Sequence, residues 1–370
     1  MTEKLRPFRP IAPGEILKDE LDARGWTQSD LAEILGRPIQ AINEIITGKK
    51  AIVPATAVEL SRAFGTSAEF WLNLESAYRL DLLHHQGGGN EQIARRARIY
   101  SLAPVKDLAK KGWISKTSDL NTIERELCRL LDIDSIDEKP SLSLAARRSD
   151  PYGEFSPVQV AWACRARQQA RKQKGKRFDR RRFSAQVSKL PHLSVEDDAL
   201  AQLLDALAGF GVRLVVVEHL PQTHLDGAAL WLDAKSPVVA LSLRYDRIDS
   251  FWFTLMHELA HIRLSTAHAA YVDDNLVGPN AEPREDKPQA EQEADALACQ
   301  WLVPQKELEA FVARTKPYFS KTAIVKFADS VGVHPGIVVG QLQYLGAIPY
   351  SHSRGMLVKV RAALLEQIDR

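Results

Sequence analysis

The chain has 370 residues, 45% of them hydrophobic and 26% charged, and a formal net charge of +2. That length predicts two or three domains, and the composition is that of a soluble globular protein. No run approaches the roughly 18 apolar residues of a membrane helix, and the start MTEKLRPFRP has no apolar core, so a cytoplasmic protein without membrane span or secretion signal is expected.

In chain order, residues 10–82 read as short helices joined by small turns, with no strand. In TQSDLAEILGRPIQAINEIITGKK (27–50), Thr27 is a good N-cap, and Leu31, Ala32 and Leu35 form the apolar face of a first helix. Gly36 permits a tight turn, and Pro38 suits the first position of a second helix that Ile39, Ile42, Ile45 and Ile46 hold to the core. This is the pattern of a helix-turn-helix; a helical hairpin used only for packing is the alternative. Arg37, Gln40, Ala41 and Asn43 are left toward solvent, where a recognition helix meets base edges. Gln and Asn can read adenine and Arg can read guanine, while Gln28, Lys49 and Lys50 are placed to hold phosphates. Residues 1–60 carry eight Lys/Arg against nine Asp/Glu, so the positive charge is focal, at Arg37 and Lys49–Lys50.

The flanks PGEILKDELDARGWTQ and INEIITGKKAIVPATAVELSRAFGTSAEFWLNLESAYRL make residues 11–82 resemble HigA-type antitoxins of the XRE, lambda-repressor-like class. That resemblance implies an all-α domain that dimerises on a palindromic double-stranded DNA operator and engages a toxin partner. Ala12 stands where a His usually precedes PGE, and Ile39 and Ala41 stand where polar or basic residues are frequent, which bears on the operator sequence.

HQGGGN (85–90) suggests a boundary near residue 85. Residues 91–210 read as mainly helical, separated by proline-bearing loops, and contain no identifiable chemical motif. Residues 165–182, RARQQARKQKGKRFDRRR, hold ten Arg or Lys against one Asp; they form either a solvated face or a phosphate-contacting patch. Cys128, Cys164 and Cys299 are far apart with no CxxC pair, which points to free thiols and away from a disulfide framework.

Periodicity changes after residue 210. GVRLVVVEHL, GAALWLD and PVVALSLR are short apolar runs that read as strands, followed by a long helix starting near Asp249 or Ser250. That helix contains FTLMHELAHIRL. On a helix, His257 and His261 lie one turn apart on one face, and Glu258 projects beside them, where a carboxylate can act as a base on a metal-bound water. The extended motif HExxHxxGxxH fails, because Leu264 and Ala267 occupy its Gly and third His positions. EQEADALACQWLVP supplies another solution: Glu291 as third ligand and, four residues on, Asp295 holding a histidine N–H. Glu293 points away around that helix. His224, His268, Tyr271 and His334 are open choices for stabilising an oxyanion. FADSVGVHPGIV (327–338) aligns without a gap with LAEILGRPIQAI (31–42) but lacks basic neighbours, so it reads as packing.

The ordered segment DGAALWLD…SPVVALSLRYDRIDSFWFTLMHELAH…EQEADALACQWLVP, within residues 195–345, resembles the ImmA/IrrE metallopeptidases. The resemblance implies His257, His261 and Glu291 as Zn2+ ligands and Glu258 as general base; Ala260 replaces the small Gly common beside the second His.

The expectation is therefore multidomain. An all-α helix-turn-helix domain (1–85) precedes a mainly helical middle domain (86–194), an α+β zincin-like peptidase domain (195–350) and a C-terminal helix or tail (351–370). The function expected is that of a homodimeric DNA-binding regulator whose zinc endopeptidase cleaves a repressor or toxin–antitoxin partner. A second reading is an antitoxin or transcription factor whose peptidase-like domain binds or senses a partner without cutting. A third is a peptidase whose helix-turn-helix serves only dimerisation or substrate docking.

Overall fold

The structure, a computed structural model, describes residues 11–86, 89–140, 147–148, 155–221, 223–265, 271–274, 276 and 287–368. The chain divides into two compact units, Met1–Arg95 and Arg96–Arg370. No single helix among the described residues is long and apolar enough to cross a membrane.

The first unit is built from α1 (Pro13–Arg24), α2 (Gln28–Leu35), α3 (Ile39–Ile46), α4 (Pro54–Phe64) and α5 (Ala68–Gln86). Thr27 Oγ1 accepts the Asp30 N–H at 3.2 Å, and Asp30 Oδ2 accepts the Thr27 N–H at 2.7 Å. This capping box satisfies two donors that a helix start otherwise leaves without partners. Gly36 ends α2 at φ 62, a left-handed conformation that costs little without a Cβ. Leu17, Leu31, Ile42, Leu60 and Trp71 meet in the core without exposure. Ile39, expected among the core contacts of α3, is instead 51% exposed. Pro38 is the N-cap, so Ile39 opens α3 and its side chain lies past the end of the Ile42–Ile45 ridge.

Helix α6 (Gly89–Leu102) follows. The second unit then contains α7 (Val105–Lys110), α8 (Leu120–Leu131), α9 (Pro157–Lys172), α10 (Arg180–Gln186) and α11 (Ala199–Phe210). Its sheet has β1 (Arg147–Arg148), β2 (Arg213–Val216), β3 (Leu225–Trp231), β4 (Pro237–Leu241) and β5 (Tyr271–Asp274), in the order β1-β5-β3-β4-β2. β3 pairs antiparallel with β4 and β5, while β2 runs parallel to β4 and β1 parallel to β5. The apolar runs before residue 242 announce three strands; β1 and β5 are too short and polar to show a period.

Every residue of β3 and β4 is buried, so both faces of the sheet are covered. Alternation divides the side chains between two cores. Ala229, Trp231, Val239 and Leu241 pack with residues of α12 (Ile248–Leu264). Ala228, Leu230, Val238 and Ala240 pack with Ala161, Trp162 and Ala166 of α9. Trp162 Nε1 also donates to the Val217 carbonyl at 3.1 Å, tying α9 to the end of β2. The middle segment thus supplies the layer opposite α12.

Beyond the sheet lie α13 (Gln289–Leu302), α14 (Gln305–Thr315), α15 (Lys321–Val331), α16 (Pro335–Tyr344) and α17 (Arg361–Ile368). The pair α15–α16 repeats the helix-turn-helix bend, with Gly332 at φ 67 and the helices bent by 108°. Ile337, Val338, Val339 and Leu342 of α16 are buried in the core shared with α12, so packing occupies its surface.

Candidate metal centre and helix-turn-helix

Helix α12 is apolar around most of its circumference, with residues 248–262 all buried, as for a helix at the centre of a core. Arg180 satisfies its C-terminal end by donating to the carbonyls of Arg263 and Ser265 at 3.1 and 3.0 Å. A cation there also complements the negative end of the helix dipole. The helix therefore presents its two histidines from a rigid position.

His257 Nε2 lies 3.0 Å from His261 Nε2 and 3.1 Å from Glu291 Oε2, and His261 Nε2 lies 3.3 Å from the same oxygen. Among the described residues this is the one group of three His, Cys, Asp or Glu side chains whose ligand atoms approach within 4.8 Å. On the other side of the ring, His257 Nδ1 is 2.9 Å from Asp295 Oδ1. That contact puts the proton on Nδ1 and turns a bare lone pair at Nε2 toward Glu291. Lys287, itself buried, donates to Asp295 Oδ2 at 2.8 Å. Burial alone would raise the Asp295 carboxyl, but the hydrogen bond from His257 and the Lys287 ammonium hold it below the usual carboxylate range.

The donor set fits a divalent cation. Ligands about 2.0–2.1 Å from a tetrahedral zinc stand about 3.3 Å from one another, close to the separations of the three atoms. Two imidazole lone pairs and a carboxylate converging in a site at most 2% exposed call for a positive charge between them.

Glu258 is fully buried beside this group. Its carboxylate faces Gly227 of β3: a Cβ at 227 would lie 2.3 Å from Glu258 Oε1 and 2.7 Å from Thr254 Cγ2. The register shifts between Leu225 and Gly227, so the strand is irregular where it crosses the glutamate. Gly227 escaped the sequence reading, though a glycine inside a strand run signals a bulge or close backbone approach. Lys287 had no signal at all, being one lysine in a polar loop.

Of the residues considered for an oxyanion, Tyr271 stacks on His261 with ring centroids 4.1 Å apart. His334 is the N-cap of α16, its Nδ1 accepting the Gly336 N–H at 3.0 Å. His224 is exposed, and its carbonyl accepts from Arg244. His268 lies outside the described residues. Glu293 is exposed, with Gln289 donating to it.

In the first unit, Gln40 and Asn43 on α3 and Lys49 and Lys50 beyond it are exposed, and Gln28, the first residue of α2, is half-buried. Gln40 leans on Glu44 at 3.4 Å. Arg37 differs from these residues: its Nε and Nη2 meet Glu59 Oε2 and Oε1 at 2.7 and 3.0 Å. That fork holds the guanidinium against Glu59 of α4.

Fold and site define a helix-turn-helix unit joined in one chain to a helix-rich unit with a small mixed sheet, in which two helices bring together a cluster able to hold a metal ion. The comparisons agree: a family described as Helix-turn-helix matches residues 17–71, and the peptidase family described as IrrE N-terminal-like domain matches residues 210–339. The chain belongs to the HigA-like helix-turn-helix family at its N-terminus and carries an IrrE/ImmA-like peptidase-family domain toward its C-terminus. It is 41% identical over 73 residues to virulence-associated protein I of Dichelobacter nodosus, covering 20% of this chain and 68% of that protein. It is 38% identical over 73 residues to antitoxin HigA-1 of Vibrio cholerae, covering 20% and 69%. A solved structure of Pseudomonas aeruginosa antitoxin HigA with its promoter matches at 38% identity and a TM-score of 0.22, covering 23% of this chain and 91% of that one.

Proposed function

We propose that the protein is a DNA-binding transcriptional regulator whose second unit is a zinc-dependent endopeptidase acting on a repressor or toxin–antitoxin partner. The observation that carries the peptidase reading is the convergence of His257, His261 and Glu291 beside the buried Glu258 carboxylate. Zinc held by those three side chains would polarise a peptide carbonyl and bring the pKa of a water near 7. Glu258 takes the proton of the attacking water and returns it to the departing amine nitrogen. Asp295 keeps the proton of His257 on Nδ1, and Lys287 holds Asp295 in place. Residues 1–85 are the DNA-reading domain and 195–350 the peptidase domain, with 86–194 covering its sheet. Gln28, Gln40, Asn43, Lys49 and Lys50 face a double-stranded operator bound by a homodimer. Arg37 joins them only after exchanging Glu59 for a base or phosphate. HigA relatives named as antitoxins support a toxin-like partner.

The test uses the purified chain and its Glu258→Gln variant. Wild type is expected to hold about one zinc and to cut a protein encoded beside its gene. Glu258→Gln should keep the zinc and lose about 10²-fold or more in rate. Footprinting on its own upstream DNA, weakening steeply with salt, checks the regulator half. A second reading draws on one observation: His257, Glu258, His261 and Glu291 are all 2% exposed or less. A centre so enclosed favours a domain that binds or senses a partner without cutting. Operator binding with no cleavage of any neighbour would establish it.

A further inference from the structure

The basic run 165–182 takes no part in the metal centre, and the structure accounts for much of its charge. Arg171 meets Asp132 at 2.7 Å, and Arg165 lies over the Trp113 ring at 5.6 Å. Arg180 and Arg182 donate to main-chain carbonyls. Lys172 and Lys174 have another setting. With Arg213 of β2 they edge a cleft of about 620 Å³. Leu204 and Leu207 of α11 and Leu214 of β2 supply its apolar wall. All three charged side chains among its described lining residues are cations.

Arg213 is fixed there. Its Nε donates to the Gln173 carbonyl at 3.4 Å, and a Cβ on Gly175 would lie 2.7 Å from its Cζ, so a side chain at 175 would displace the guanidinium from this position. A guanidinium stays charged at any ordinary pH, and its planar fork matches a carboxylate or phosphate. Apolar residues and three cations, with no acid among the described lining, match a ligand having an apolar body and a negative head.

We propose that this cleft binds a small amphipathic anion, its carboxylate or phosphate head on Arg213, Lys172 and Lys174 and its apolar body against Leu204, Leu207 and Leu214. The site is separate from the metal centre and independent of whether that centre cuts.

Calorimetric titration of the full chain tests it with octanoate, octyl phosphate, octanol and inorganic phosphate, the first two distinguishing the head group. One octanoate or octyl phosphate per chain is expected, with octanol and inorganic phosphate at least about tenfold weaker. Arg213→Gln should weaken the better ligand by about tenfold or more while leaving the thermal midpoint in place. Should that variant not fold, Lys174→Gln at the exposed rim is expected to weaken it severalfold. Unchanged binding in a folded Arg213→Gln, or octanol binding as well as octanoate, overturns the proposal. So does duplex DNA displacing octanoate at constant salt, which would assign these cations to a nucleic-acid backbone.

Discussion

At the residue scale, Gly227 and His334 show how single positions carry the architecture. The Glu258 carboxylate occupies the space that a side chain at 227 would fill. Gly227→Ala is therefore expected to displace Glu258, lower any cleavage rate by about tenfold or more, and leave zinc content near wild type. It should also cost about 1–3 kcal/mol of stability by overpacking. Rate, metal content and urea midpoint on one preparation check this together. His334 caps α16 through an unprotonated Nδ1, and burial holds its pKa below the usual histidine value. The unfolded chain therefore binds this proton first as pH falls. The contribution is complete above about pH 6.5 and is lost as pH drops toward the lowered folded value. His334→Asn, still able to cap, should flatten that part of the difference in urea midpoint between pH 7.5 and 5.5. The Cys164 thiol, pushed up to about 11 by burial, fits an inert core group.

At the scale of elements, the centre is a contact between two helices. α12 brings two histidines and a glutamate from i, i+1 and i+4 positions, and α13 brings Glu291 and Asp295 from i and i+4 positions. Those spacings are written in HELAH and EQEAD, so the grouping of His257, His261 and Glu291 was legible. The relation of the helices was not, because no local pattern says that α13 packs across α12 with Asp295 behind His257. Lys287, at the entry to α13, completes the chain Lys287–Asp295–His257. Removing a partner that orients a ligating histidine typically lowers metal affinity about 10–100-fold. Asp295→Asn is expected within that range, and Lys287→Met, which leaves Asp295 buried without its cation, at its lower end. Competition against a chelator indicator measures both. In the first unit, the Thr27 cap and Gly36 were equally legible, since caps and turns are local. The Arg37–Glu59 fork was not, because its two residues lie on either side of α3.

At the scale of the whole molecule, separate cores imply separate responses to metal. The Leu17–Trp71 core lies within Met1–Arg95, and the candidate metal-binding cluster lies within Arg96–Arg370. A ligand that binds only the folded state stabilises it by about 2.7 kcal/mol at a hundredfold excess over Kd. Calorimetry is expected to show two transitions, of which added zinc raises one by several degrees and EDTA returns it. A single transition moving as one body would show instead that the units unfold together.

Much of this was determined by residues in sequence: the turn between α2 and α3, the one-face placement of His257 and His261, the acidic face of α13 and the apolar runs of β2, β3 and β4. Each depends on spacing within one or two helical turns or on alternation in one strand. Only the tertiary structure decided that α9 covers the sheet opposite α12, that β5 joins it, that Gly227 makes room for Glu258 and that Lys287 reaches Asp295. It also brought Arg213 to one cleft with Lys172 and Lys174. These relations join residues far apart in the chain, where close packing and the satisfaction of buried polar groups choose partners that no local period can encode.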